Sequence, residues 1–174
     1  MSATTWIIDP THSEVNFKVK HLVISTVTGS FRDFEGSVES ESDDFDGASV
    51  KFSAKTASVD TNQGDRDNHL RSADFFDSEK YPNMEFSGKV QKSGDDYKLV
   101  GNLTIKETAK EVVLEADFGG VVVDPYGNTK AGFELEGKIN RKDFGLSWSA
   151  VTEAGNVVVS DQIRLLVNVE VTKQ

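Results

Sequence analysis

The dominant pattern in this chain is alternation of apolar and polar residues. From Glu14 to His21, Val15, Phe17 and Val19 share one parity, and Glu14, Asn16, Lys18 and Lys20 share the other. That is the period of a half-buried antiparallel strand. The same period returns over Ala48–Ala54, Met84–Val90, Tyr97–Ile105, Val112–Phe118, Ala131–Ile139 and Ile163–Val171. Trp6-Ile7-Ile8 predicts a short first strand, ended by the turn Asp9-Pro10-Thr11. Thr28–Ser40 predicts one long strand whose parity slips between Phe31 and Phe34, so a bulge is expected near Arg32-Asp33. His21–Thr28 is apolar and β-branched without alternating, and reads as a loop crossing the sheet end. Ser93-Gly94-Asp95-Asp96, Glu107–Lys110 and Asp124–Asn128 predict turns, and Gly119-Gly120 a sharp bend. Asp143–Asn156 reads as a loop carrying Phe144, Leu146 and Trp148.

Eight or nine strands with no alternating helices exclude a parallel sheet and define an all-β class. A meander of long antiparallel strands closes most readily into a barrel, which removes aggregation-prone edges. The expectation is an extended eight-stranded antiparallel barrel, residues 1–174 forming a single domain. Eight strands leave an interior that is filled by side chains or holds one small ligand. Both readings stand on the pattern alone. Glycines at 36, 88, 101 and 137 on the inward parity are expected to leave room. A tunnel so lined would take a long, flexible, apolar chain, each buried methylene contributing ~0.8 kcal/mol.

One stretch, Asp60–Phe86, breaks the strand rhythm. A short helical segment is expected around residues 62–76. Asn62 is placed to cap it, with Asp65 and Asp67 near its positive end. Asp67 and Arg71, at i,i+4, are expected to pair on the surface. Leu70, Ala73 and Phe76 form an apolar stripe that could close one barrel end. Tyr81 precedes Pro82 and is expected to be extended.

Composition narrows the function classes. The 174 residues carry a net charge of −10 and include 11 Phe but no Cys. The acidic surface disfavours nucleic acid and anionic membranes, and fits a monomer or a homodimer. Absence of cysteine excludes disulfides, thiolate zinc sites and thiol catalysis. No run approaches the ~20 apolar residues of a membrane span. Met-Ser-Ala-Thr-Thr-Trp has no export signal, so a cytoplasmic location is expected, or a periplasmic one if a leader was trimmed.

Candidate chemistry is sparse. His12, His21 and His69 are widely spaced and match no metal motif. Asp43-Asp44-Phe45-Asp46-Gly47 weakly resembles a calcium loop without its distal Glu, and reads as a solvated turn. No nucleophile elbow or phosphate-cradling loop is present, and neither cofactor nor metal is expected. Arg66 and Arg71 are read either as surface ion pairs or as contacts to an anionic head group. An enzyme would have to rely on His69, Asp67 or Asp74 as acid or base.

Several motifs occur together in one order. Asp9-Pro10-x-His12-Ser13-x-Val15-x-Phe17-x-Val19-x-His21 opens the chain, followed by Gly29-x-Phe31-x-x-Phe34-x-Gly36. Arg66-Asp67-x-His69-Leu70-x-Ser72-x-Asp74-Phe75-Phe76-Asp77 and Tyr81-Pro82-x-x-x-Phe86 come next. Gly101-x-Leu103-Thr104-Ile105 and Arg141-x-Asp143-Phe144-Gly145 follow. This series resembles the YceI-like family across nearly the whole chain. Lys106-Glu107 departs from the His-Gly common in that family after the Leu-Thr-Ile strand. The resemblance implies an extended, lipocalin-like barrel whose hydrophobic tunnel holds a polyisoprenoid or similar amphiphile.

Non-catalytic carriage or storage of a polyisoprenoid, isoprenoid quinone or fatty amide is the expected function. The alternatives are an enzyme acting on such a lipid and a filled barrel serving as an interaction module. Val15, Phe17, Val19, Phe31, Val50 and Phe52 are the expected wall on the N-terminal side. Phe86, Leu103, Ile105, Leu114 and Phe133 complete it. Phe75, Phe76 and Trp148 would guard a mouth, with Arg66, Leu70 and Arg71 beside it.

Overall fold

The computed structural model describes residues 3–148 and 159–174. Eleven antiparallel strands form one sheet that closes on itself through β1 and β11. In chain order they are β1 (Thr4–Ile8), β2 (Glu14–His21), β3 (Ser25–Phe31), β4 (Phe34–Ser40), β5 (Ser49–Lys55) and β6 (Val59–Asp60). After helix α1 (Gly64–Arg71) come β7 (Asn83–Ser93), β8 (Asp96–Ile105), β9 (Thr108–Val123), β10 (Thr129–Asn140) and β11 (Val159–Lys173).

These eleven strands make eight staves. Both β1 and β2 pair with β11, through Ile8↔Val171 and Val15↔Val167, so they are two lengths of one stave. A 3-10 turn, Pro10–His12, interrupts it, with Asp9 accepting from the Thr11 backbone N–H. In the same way β4 lies on β1 while β3 lies on β2, and β5 lies on β4 while β6 lies on β3. Three broken staves and the five unbroken strands β7 to β11 give the closed eight-stranded barrel.

The predicted bulge at Arg32-Asp33 is a complete break between β3 and β4. Its backbone groups are satisfied across the gap, Lys55 N–H donating to Asp33 O at 2.8 Å and Arg32 N–H to Ser58 O at 3.2 Å. The parity slip between Phe31 and Phe34 therefore separates two strands with different neighbours. The stretch after His21 is likewise not a crossing loop. It is a hairpin, with Val19↔Val27 and His21↔Ser25 in register. Its non-alternating residues are the turn itself. The β8–β9 turn is also tighter than expected: Lys106 and Glu107 alone separate Ile105 from its partner Thr108. Gly119 is the unpaired residue of a bulge, since Gly132 faces Gly120 and Phe133 faces Phe118.

One end of the barrel is sealed by aromatic rings. Trp6 and Phe45 are fully buried, and Phe45 packs edge-on against Phe118 and Phe133 at ring-centroid distances of 5.4 and 5.0 Å. Phe118 stacks on Phe133 at 4.9 Å, and Tyr97 joins from β8. This corrects the reading of Asp43–Gly47 as a solvated turn. The acids are exposed, but Phe45, at φ 63°, turns its ring into the barrel. The loop is pinned to β7 by Gly47 N–H to Val90 O at 2.9 Å and Lys92 N–H to Asp46 Oδ1 at 3.1 Å.

The inward glycines are not vacancies. The Phe86 ring lies over Gly88 and Gly101, Leu114 over Gly137, and Ile8 over Gly36. Each glycine gives its neighbour's side chain a flat seat against the wall, so the free space lies deeper along the axis.

Candidate ligand-binding cavity

The unsealed half of the barrel leads into a cavity of about 370 Å³. That is room for on the order of a dozen waters and falls in the range of ligand pockets. Its wall is Val, Leu, Ile and Phe from every stave, so water inside would find few hydrogen-bond partners. Among the described residues, exposed side chains reach the lining only through Lys20, His21 and Arg66, which places the opening at the β2–β3 tip and α1. The far end stops at Phe45.

Helix α1 has eight residues and one large apolar side chain, Leu70. A helix this short depends on tertiary anchors. Gln63, not Asn62, is its N-cap, and its side chain accepts from Arg66 N–H at 2.6 Å. Asp67 is buried and takes hydrogen bonds from both the Thr61 N–H and its hydroxyl. Arg66 donates to the Thr61 carbonyl and hydroxyl, each at 2.7 Å. Arg71 donates to the carbonyls of Ala57, at 2.8 Å, and Val59, at 3.2 Å. The expected Asp67–Arg71 surface pair is therefore not formed, because each group is used to tie the helix to the β5–β6 stave.

The helix ends at Arg71, so the Leu70–Ala73–Phe76 stripe is not helical and Ala73 is exposed. Instead the chain folds back on itself. Phe76 N–H donates to Leu70 O at 3.0 Å and Ser78 N–H to Arg71 O at 2.9 Å. This reversal buries Phe75 and Phe76.

At the mouth, His69 packs edge-on against Phe75 at 5.1 Å and against Trp148 at 4.8 Å. Phe75 and Trp148 are 5.5 Å apart, and Phe76 meets Phe31 at 5.6 Å. His69 Nε2 lies 2.9 Å from Asp74 Oδ2, which fixes the ring's orientation. Trp148 is held by a residue to which the sequence reading gave no role. Arg141 is 2% exposed, and its Nη1 donates to the carbonyls of Leu146 and Trp148, both at 2.6 Å. Its Nε donates to Ser160 O at 3.0 Å, and Asp161 lies 3.4 Å away. Burial pushes the guanidinium pKa down and Asp161 opposes that shift. A guanidinium stays charged regardless. The sequence signal was an arginine opening the turn Arg141-Lys142-Asp143-Phe144-Gly145.

All the residues expected to form the wall and mouth line this cavity except Arg71. That residue faces the β5–β6 backbone for the reason given above. Asn16, Thr61 and Met84 also line it and were not anticipated.

A second cluster lies away from the cavity. Asp9, His12 and Glu170 converge closely enough for a metal, yet Lys130 Nζ already sits 3.1 Å from Asp9 and 3.7 Å from Glu170. Hydrogen bonds from Thr11, then His12, hold the Asp9 carboxyl well below its usual range. Asp9 in turn raises His12 and Lys130. The cluster joins the β1–β2 break to β10 and β11.

Fold and cavity together define a lipocalin-like barrel with an apolar chamber. The YceI-like domain matches residues 6–171, and the chain belongs to that family. Protein YceI of Escherichia coli O17:K52:H18 is 42% identical over 164 residues, which are 94% of this chain and 83% of that protein. The crystal structure of Campylobacter jejuni YCEI protein is 38% identical, with TM-score 0.75, and covers 89% of this chain and 90% of that one. A polyisoprenoid binding domain from Saccharophagus degradans shares the fold at TM-score 0.66 and 15% identity, over 97% of this chain and 98% of that one.

Proposed function

We propose that this protein binds one long-chain apolar amphiphile, a polyisoprenoid, isoprenoid quinone or fatty amide, and carries or stores it unchanged. The observation that carries this reading is a blind apolar chamber whose few polar lining groups gather at its open end. A tail inside would be desolvated on all sides, and ten buried methylenes would contribute about 8 kcal/mol before association costs. Arg66, His69 and Lys20 stand where a polar head would remain. A polyisoprenoid-binding barrel of the same fold supports the ligand class.

Catalysis has little to work with. Asp67 is committed to Thr61, and the His69–Asp74 pair faces aromatic rings. No serine or threonine hydroxyl bonds to the His69 ring among the described residues. Purified protein should yield a bound lipid on organic extraction and take up a fluorescent prenyl probe with one-to-one stoichiometry. Extracts without amphiphile, together with no probe uptake, would sink the reading.

A further inference from the structure

The β2–β3 tip breaks the usual chemistry of a hairpin turn. The turn closes through Ile24 N–H to His21 O at 3.2 Å, with Leu22 and Val23 at φ 54° and 65°. Two consecutive left-handed residues are normally Asn-Gly or similar. A β-branched valine there is strained, and nothing in the barrel repays it, since Val23 is 68% exposed and Ile24 84% exposed. Apolar side chains are held outward against local preference.

Two further observations say what they meet. The tip stands at the cavity opening: Val19, Lys20, His21 and Val27, which flank it, line the chamber. The hairpin is also free of acids. No Asp or Glu occurs between Glu14 and Asp33, in a chain with 29 of them, whereas Lys18 and Lys20 lie on the β2 arm; Arg32, past the far end of β3, is paired with Asp60 at 2.9 Å. Lys20 Nζ is fixed on the hairpin by Thr26 Oγ1 at 3.0 Å. Two exposed side chains are too little for a stable protein interface, which needs ~800 Å² per partner. They suit shallow insertion into a bilayer surface beside neighbouring bases.

We propose that this tip is the docking element by which the protein meets a phospholipid bilayer, mouth first, to exchange its apolar cargo. The proposal rests on the carrier reading above. The acidic remainder of the surface is repelled by anionic lipid, so the hairpin, which carries no acid of its own, sets the orientation.

The test is flotation with phosphatidylcholine vesicles, with and without phosphatidylglycerol. Wild-type protein should float, more strongly with phosphatidylglycerol. The V23S/I24S double variant should lose roughly tenfold or more of that partitioning, while still taking up a fluorescent prenyl probe in vesicle-free buffer. A V122S/V123S variant is the control, because those valines are exposed by 64% and 68% on the β9–β10 tip at the sealed end; it should float like wild type. Probe uptake without flotation, or equal flotation by all three proteins, would overturn docking and leave the carrier reading intact. Absence of probe uptake by wild type would defeat the carrier reading instead. Concentration-dependent dimerisation abolished by V23S/I24S, without vesicle binding, would reassign the tip to a self-interface.

Discussion

Asp67 shows how little a residue's type reveals about its role. As an acid in the first turn of a helix it promises a solvated charge near the positive dipole end. Instead it is 7% exposed and accepts two hydrogen bonds from Thr61. Asp67→Ala strands the Thr61 amide and hydroxyl. It should cost about 2–3 kcal/mol in urea unfolding, and Asp67→Asn should cost less. A carboxylate that truly pointed into solvent would give almost no change. Asp9 and His12 make a residue-scale prediction about pH. His12 is raised by its hydrogen bond to Asp9, so its contribution is complete below the ordinary histidine value of about 6.5 and fades as pH climbs through the raised folded value. Asp9 is depressed, so its contribution holds above about 3.9 and is lost as pH falls toward the folded value. NMR titration should find His12 above its ordinary range, and Asp9→Asn should bring it back down.

At the scale of elements, the barrel depends on close seats between staves. A Cβ on Gly101 would lie 2.3 Å from Ser87 O and 2.5 Å from Gly88 Cα, both backbone atoms that cannot step aside. A Cβ on Gly137 would meet Leu114 Cδ2 at 2.3 Å, the far end of a side chain that can rotate. Gly101→Ala should therefore cost roughly 1–3 kcal/mol, clearly more than Gly137→Ala, in matched denaturant melts. The loop carrying Phe45 works as a plug. Phe45→Ala should cost about 3–5 kcal/mol and lengthen the chamber, so that longer prenyl probes gain affinity relative to short ones. Most strands and hairpins were legible because parity and turn residues are local signals; the short helix was placed in the right stretch, but its cap is Gln63 and the Leu70–Ala73–Phe76 stripe runs past its end. The β2–β3 turn was not, since its apolar residues occupy positions where turn chemistry expects polar or glycine residues. The plug was hidden for a related reason: one Phe among acids carries no period.

On the scale of the molecule, the chamber exists because the rings seal only one end. Filling it should abolish binding without unfolding the barrel. Leu135 and Val167 face each other across β10 and β11 and both line the cavity. Val167→Trp should reduce prenyl-probe affinity by tenfold or more, with a melting temperature within a few degrees of wild type, because an existing void accepts the added ring. Unchanged affinity would mean that the tail does not occupy this depth.

Period-two alternation, backed by turn residues, determined that the chain is an antiparallel barrel with an apolar inner face, because strand pairing and burial parity follow from nearest neighbours along the chain. Most of the wall could be named on that basis. Only the tertiary structure decided whether the inner face surrounds solid packing or a void. That outcome depends on where Phe45, Phe86 and Trp148 swing, on Arg141 and Arg71 being spent on backbone carbonyls, and on which end the rings close. Most of those contacts join residues more than ten positions apart, as in Phe45 on Phe133, Trp148 on His69 and Arg71 on Ala57, and no local pattern encodes them.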